Sequence, residues 1–124
     1  MLPEGNRLRS KYDFRRVKRV GRSAHSPYFT LLYAPAKDSV TLRFGFVAST
    51  KFDKRAVVRN RARRLLREAV RVHLSRIKPG HDLVLIARKG VKEVSSAEVS
   101  ASLNQILSKV SLLGPRSAQE ALSD

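Results

Sequence analysis

The chain contains no cysteine and no tryptophan among its 124 residues. Without cysteine there is no disulfide framework, no thiolate zinc site and no cysteine nucleophile. A chain without disulfides is typical of a reducing compartment, so we expect a cytoplasmic protein.

Long apolar segments are also missing. The longest purely apolar run covers residues 83–87, far short of the roughly 20 residues that cross a bilayer. Residues 1–9 lack the apolar stretch of a signal peptide. We therefore expect a soluble protein with no membrane partner.

Acidic residues are scarce. The chain has 10 Asp+Glu against 26 Lys+Arg, which gives a formal net charge of +16 and a pI of about 11.4. Its 42% hydrophobic content is enough for a core, and we expect one domain over residues 1–114 with a flexible, polar tail over 115–124. Basic residues are concentrated in 1–22 and 51–71, whereas acids outnumber them after residue 92. Such regional charge predicts a polyanionic partner, with nucleic acid first and an anionic membrane surface second.

Groups that could carry catalysis or hold a metal are scattered. The carboxylates show no paired spacing, and His25, His73 and His81 lie far apart with no Glu or Cys at ligand spacing. No serine triad and no glycine-rich phosphate loop occurs. We predict no catalytic residue and no metal site on the protein itself.

The hydrophobic pattern predicts an α+β fold of order α-β-β-α-β-α, with helices packed on a small sheet. Helix 11–20 comes first. Strands 28–34 and 42–48 follow, joined by a short turn that predicts an antiparallel hairpin. Strand 42–48 alternates, with Leu42, Phe44, Phe46 and Ala48 on one face and Arg43, Gly45 and Val47 on the other. A buried strand at 82–88 follows the second helix, and Ser95 and Glu98 have capping-box spacing at the start of the last one.

The second helix carries the clearest functional pattern. Its predicted core stripe is Val58, Ala62, Leu65, Ala69 and Val72. The opposite arc is rich in arginine, and Glu68 is the one acid between Lys54 and Arg71. Solvated helix faces normally mix charges to form i,i+4 pairs, so this arc predicts binding to RNA or DNA phosphates. A membrane-surface helix would carry bulkier apolar residues opposite the charges.

All eight aromatic residues lie between Tyr12 and Phe52. Rings beside basic residues suit single-stranded nucleic acid, because bases stack on them without sequence readout. Core packing is the better interpretation for Phe44 and Phe46, while Phe14, Tyr28 and Tyr33 fit either role.

The segment RNRARRLLRE (residues 59–68), preceded by FGFVASTKF and followed by DLVLIARKG, resembles the bacterial ribonuclease P protein component. The resemblance extends from the RLRSKYDF segment near Leu8 to Leu113. It implies an auxiliary protein of a ribonucleoprotein endonuclease that removes the 5′ leader from precursor tRNA. The catalytic RNA performs the hydrolysis with Mg²⁺ in that family, and the fold contains a left-handed βαβ crossover.

The resemblance also implies the contact residues and partners. By position it assigns Lys51, Arg59, Asn60, Arg61, Arg63, Arg64 and Arg67 to the catalytic RNA. With Lys54, Arg55 and Arg71 added, these residues are the predicted RNA-binding set. It places the leader in a cleft between the first helix and one sheet face, which assigns Phe14 as a stacking platform. The predicted leader-binding set is Phe14, Lys18, Tyr28 and Thr30, and Lys18 stands where relatives can carry a second aromatic. The implied partners are the catalytic ribonuclease P RNA and the precursor tRNA leader, with no obligate protein partner and Mg²⁺ entering through the RNA alone.

Two other functions remain open from the residues. One is a non-catalytic RNA-binding module of another particle, such as a ribosomal protein. The other is an autonomous nuclease. Co-purification with one long structured RNA, sedimentation with ribosomes, and metal-dependent cleavage by RNA-free protein distinguish the three possibilities.

Overall fold

The computed structural model describes residues 7–8 and 11–113, which form three α-helices and a four-stranded sheet. The elements in chain order are α1 (Lys11–Val20), β1 (Arg22–His25), β2 (Phe29–Pro35), β3 (Leu42–Val47), α2 (Ala56–His73), β4 (His81–Ala87) and α3 (Ser96–Lys109). The predicted α+β order is confirmed, with β1 as an additional strand that its short, mostly exposed RSAH sequence did not indicate. The predicted tail, residues 115–124, lies outside the described residues.

The predicted antiparallel hairpin between β2 and β3 is wrong. The strand order is β1-β2-β4-β3, so β4 lies between the two strands expected to pair. β4 runs antiparallel to β2 and parallel to β3. The β2–β3 connection crosses the start of β4, where Ala36 N donates to Gly80 O and Gly80 N donates to Thr41 O.

Burial explains why β4 takes a central position. Leu83, Val84 and Leu85 are almost completely inaccessible, so both faces of this strand must be covered by other elements. An interior strand also has both edges paired, which suits a continuous apolar run. The resulting β3-α2-β4 unit is a parallel βαβ crossover, whose left hand stays a prediction from the resemblance.

Helices cover both faces of the sheet. The larger core lies between the sheet and helices α2 and α3, and includes Phe29, Phe44, Leu66 and Leu103. The smaller core lies under α1 and consists of Leu8, Val17, Ala34 and Val84 with partly buried neighbours. The two faces predicted for β3 are confirmed, because Leu42, Phe44, Phe46 and Ala48 join the larger core while Val47 joins the smaller one.

The buried stripe of α2 is rotated from the predicted one. Its buried residues are Ala62, Leu66, Ala69 and Val70, whereas Leu65 is half-buried and Val72 is 58% exposed. Helix α2 packs on α3 as well as on the sheet. Its buried side therefore faces the junction between α3 and the sheet.

The last helix begins as predicted. The Ser95 side chain accepts a hydrogen bond from Glu98 N at 3.3 Å, which satisfies one of the unpaired amides of the first turn. Val99, Leu103 and Ile106 of the predicted stripe are buried, together with Leu107. The helix stops at Lys109 because Ser111 takes a left-handed conformation (φ 63°), which lets Leu112 N donate to Leu107 O.

Candidate nucleic-acid interface

The loop that leads into α2 is organised by Asp53. Its carboxylate accepts hydrogen bonds from Arg55 N at 2.8 Å and Arg55 Nε at 3.0 Å, and it pairs with Lys92 Nζ at 3.0 Å. The hydrogen bonds from Arg55, with a further one from Lys92, hold the pKa of Asp53 well below its ordinary value. Asp53 therefore stays ionised and holds two cations, Arg55 and Lys92, beside the N-terminus of α2.

Three of the predicted RNA-binding arginines brace backbone carbonyls. Arg59 Nη1 donates to Lys54 O at 2.7 Å, which holds the loop against the first turn of α2. Arg63 Nη1 donates to Ala48 O at 3.1 Å, just after β3. Arg61 Nη1 donates to Lys92 O at 3.2 Å, on the segment after β4. These guanidinium groups shape the surface around α2 and still keep some of their five donors for a ligand.

Other predicted residues point outward. Lys51, Lys54, Asn60 and Arg64 are exposed, and within residues 7–8 and 11–113 the Arg64 side chain makes no hydrogen bond or ion pair. Asn60 Oδ1 accepts a hydrogen bond from Arg63 Nη2 at 2.5 Å, and this bond uses neither of the two N–H donors of the Asn60 side chain. An arginine with no internal partner on a basic face is well placed to meet a phosphate.

Toward the C-terminal end of α2 the predicted residues differ in their pairing. Arg71 forms an ion pair with Glu68, whose pKa this arginine lowers. Arg67 lies over the ring of Phe46, with its guanidinium carbon 5.5 Å from the ring centroid. Because Phe46 belongs to β3, this cation–π contact brings the arginine face of α2 to the edge of the sheet.

A groove begins where Arg67 and Phe46 meet. One depression of about 310 Å³ is lined by Arg7, Leu8, Phe14, Phe44, Gly45, Phe46 and Arg67. A second, of about 320 Å³, is lined by Phe14, Arg15, Lys18 and Val47. Phe14 belongs to both, so its ring forms the boundary between two parts of one groove along β3 and α1.

Phe14 owes its position to Gly45. A Cβ atom at Gly45 would lie 2.4 Å from Phe14 Cζ, so the ring occupies the space that a side chain would fill. Glycine inside a strand often marks such a close approach, and Gly45 between two phenylalanines was the sequence signal that could have located this groove.

The predicted leader residues are only partly brought together. Phe14 and Lys18 line the groove. Thr30 is aligned with Ile86 and Val47 across the sheet, on the face that α1 partly covers. Tyr28 instead packs against the larger core on the opposite face, and its ring lies near Gly90.

Several basic residues near these surfaces were not singled out from the sequence. Arg7 and Arg15 line the groove. Lys89 and Lys92 join Lys51 and Lys54 around a shallow depression of about 640 Å³ beside the α2 loop. Nothing in the local pattern distinguishes these cations from other surface lysines and arginines, because strand pairing brings them to the site.

Metal ligands do not gather at this surface. Within residues 7–8 and 11–113, no three His, Asp or Glu side chains are arranged to hold a metal ion. The described helices include none that is long and apolar enough to cross a membrane.

Comparison with known proteins gives consistent results. A family model described as Ribonuclease P matches residues 2–111. A ribonuclease P protein component from Chloroflexus aggregans is 41% identical over 114 residues, covering 90% of this chain and 82% of that protein. One from Chloroflexus aurantiacus is 50% identical over 82 residues, covering 66% of this chain, and the chain spans 59% of its length. The solved RNase P protein of Staphylococcus aureus superposes with a TM-score of 0.78 at 28% identity, covering 90% of this chain and all of that one.

Proposed function

The chain belongs to the ribonuclease P protein family, and from this premise we propose that it is the protein subunit of a ribonuclease P ribonucleoprotein. In this role it binds the catalytic RNA and the 5′ leader of precursor tRNA. It assists the endonucleolytic cut that produces the mature tRNA 5′ end, and it broadens the range of substrates that the RNA can process. The assembly is cytoplasmic and needs no membrane and no second protein.

The position of Arg67 carries the proposal. Arg67 lies on α2 among the arginines, yet it also lines the groove that contains Phe14. The basic helix and the aromatic groove therefore form one continuous surface. Such a surface can hold a structured RNA on one side and a single strand on the other.

The helix side of this surface suits the catalytic RNA. The exposed residues Asn60 and Arg64 offer donors to phosphates and riboses, while Arg59, Arg61 and Arg63 keep the flanking loops in place. Arginine is favoured here because its planar fork can donate two parallel hydrogen bonds to one phosphate.

The groove side suits the leader. Phe14 offers a ring for stacking, and Arg15 and Lys18 offer charges for the phosphates on one side of it. Stacking and phosphate contacts tolerate any base sequence. A groove of this kind fits a substrate segment that differs from one precursor tRNA to the next.

The chemical step belongs, in this proposal, to the RNA subunit with Mg²⁺, and the protein supplies binding. By contacting the leader the protein adds affinity for precursor over mature tRNA. By holding the RNA around its substrate it also lowers the Mg²⁺ concentration that cleavage requires.

Cleavage of 5′-labelled precursor tRNA at low Mg²⁺ tests the proposal with protein alone, cognate RNA alone, and both. We expect cleavage at the mature 5′ end to be much faster with both. Activity of the protein alone would instead indicate an autonomous nuclease. Failure to stimulate the cognate RNA would leave only an RNA-binding module of another particle.

A pair of variants on α1 tests the groove itself. Phe14→Ala should reduce the preference of the assembled enzyme for precursor over mature tRNA. Tyr12→Ala removes an aromatic side chain from the same helix that lies outside the groove and should leave that preference unchanged. Equal effects of the two substitutions would contradict the assignment of the leader to this groove.

A further inference from the structure

A charged cluster lies between α1 and the first residues of strands β3 and β4. Asp82 of β4 is completely buried, with 0% side-chain exposure. Arg43 of β3 donates to its two carboxylate oxygens from Nε and Nη2, both at 2.9 Å. This fork-to-fork pairing fixes the orientation of both groups.

Helix α1 joins the same cluster through two side chains one turn apart. Arg16 donates from Nη2 to Asp82 Oδ2 and from Nη1 to Pro35 O at 2.9 Å. Asp13 lies 3.4 Å from the Arg43 guanidinium. The cluster thus contains two acids and two arginines, and it ties α1 to β2, β3 and β4 at once.

Two apolar side chains of α1 pack on the small core in the part of the chain that the structure describes. Val17 is one of its four buried members there, and Phe14 is partly buried against them. Apolar packing has little directional preference, whereas charge-assisted hydrogen bonds hold only in a narrow geometry. The cluster is therefore the feature that sets where α1 sits along the sheet.

That position determines the groove. Phe14 follows Asp13 in α1, and its ring rests on Gly45, two residues beyond Arg43 on the same face of β3. Lys18, one turn after Phe14, reaches the second part of the groove beside Val47. A shift of α1 along or away from the sheet would move both residues relative to β3.

We propose that Arg16, Asp13, Arg43 and Asp82 form a positioning cluster that holds α1 so that Phe14 and Lys18 face the RNA leader. The inference rests on the proposed function, and it assigns these four residues no contact with RNA. Its distinguishing consequence is that they act on leader recognition only through the groove.

The variant Arg16→Gln tests this because it removes the charged hydrogen bonds of Arg16 to Asp82 and Pro35 while Arg43 can still pair with Asp82. Arg19→Gln is the matched control, since it removes the same charge from the same helix at an exposed position. The reconstituted enzyme is measured for its affinity toward precursor tRNA and toward mature tRNA. Affinity for the catalytic RNA and the thermal unfolding midpoint of each variant are measured in parallel.

We expect Arg16→Gln to lower the precursor-to-mature affinity ratio by about fivefold or more, with affinity for the catalytic RNA unchanged. Arg19→Gln should keep the wild-type ratio. In a Phe14→Ala background Arg16→Gln should lower the ratio less than it does in the wild-type background, because the cluster then acts on the leader through Lys18 alone.

Three results would decide against the cluster. They are an unchanged ratio in folded Arg16→Gln, equal losses in Arg16→Gln and Arg19→Gln, and additive losses with Phe14→Ala. If Arg16→Gln does not fold, Asp13→Asn, which weakens the 3.4 Å contact to Arg43, is measured against the same criteria. Failure of the proposed function is separate, because the wild-type enzyme would then show no preference for precursor over mature tRNA.

Discussion

Substitution of Gly45 by alanine offers a sharp perturbation of the groove. The added Cβ would lie 2.4 Å from Phe14 Cζ and 2.5 Å from Phe14 Cε1, whereas carbon atoms in contact are about 3.5–4.0 Å apart. The ring must therefore move by about 1 Å or more. The atoms affected are the far end of a side chain, so Phe14 can swing away without displacing the strand.

The cost to stability should be modest. Overpacking of this kind destabilises by about 1–3 kcal/mol, and replacing glycine recovers about 0.4–1 kcal/mol through the unfolded chain. We expect a net loss of about 1–2 kcal/mol in the free energy of unfolding, measured by urea denaturation. The variant should remain folded at 25 °C.

The effect on leader binding should be larger in relative terms. Stacking of one base on an aromatic ring contributes about 1–3 kcal/mol, which is about 5- to 150-fold in affinity. Gly45→Ala should thus weaken binding of precursor tRNA to the reconstituted enzyme within this range, measured by competition between precursor and mature tRNA. Binding of mature tRNA should not change.

The Phe14→Ala background provides the control. There the added methyl group has no ring to displace, so Gly45→Ala should neither weaken precursor binding further nor destabilise the protein by overpacking. Wild-type precursor affinity in folded Gly45→Ala would refute the reasoning. So would additive losses in the double variant.

Three further predictions follow from other parts of the structure. Arg64→Ala should reduce the slope of log K against log salt for RNA binding by about 0.7–0.9, the value for one phosphate contact. Lys109→Ala on α3 should leave the slope unchanged. Equal slopes for wild type and Arg64→Ala would exclude Arg64 as a phosphate contact. The pKa of Asp53 lies well below its ordinary value of 3.8, so its pairing stabilises the protein fully above that pH and is lost as the pH falls from 3.8 through the lower pKa of the folded protein. The difference in Tm between wild type and Asp53→Asn should therefore stay constant near neutral pH and begin to shrink below pH 3.8, and a difference that stays constant in acid would be inconsistent with this origin. Leu66→Ala should cost about 2–5 kcal/mol in urea unfolding and Val72→Ala less than about 0.5 kcal/mol, and the reverse order would contradict the orientation of α2 described above.

Local patterns were sufficient for several elements. The boundaries of α1 and the Ser95 cap agree with the structure because both depend on residues within one or two turns. The two faces of β3 follow from strict alternation, which every strand imposes on its side chains. The arginine-rich arc of α2 needs only the helical repeat to be recognised.

Pairing between distant segments could not be read in the same way. The short connection after β2 favoured a hairpin, yet β4 enters between β2 and β3 from nearly 40 residues further along the chain. Its insertion is decided by the need to cover both faces of the apolar segment 83–87 of this strand, which is a property of the assembled molecule. The orientation of α2 likewise depends on α3, which the repeat in α2 does not encode.

The properties of the candidate site also divide into those that the sequence determines and those that the tertiary structure decides. The sequence by itself determined that the protein is strongly basic, that its charge is concentrated in two segments, and that its motifs match one family, because composition and short motifs require no folding to be seen. Only the tertiary structure decided which arginines brace loops and which face solvent, that Arg67 meets Phe46, and that Phe14 rests on Gly45. These contacts join residues from separate elements, and their geometry exists only once the sheet has formed and both helical layers have packed against it.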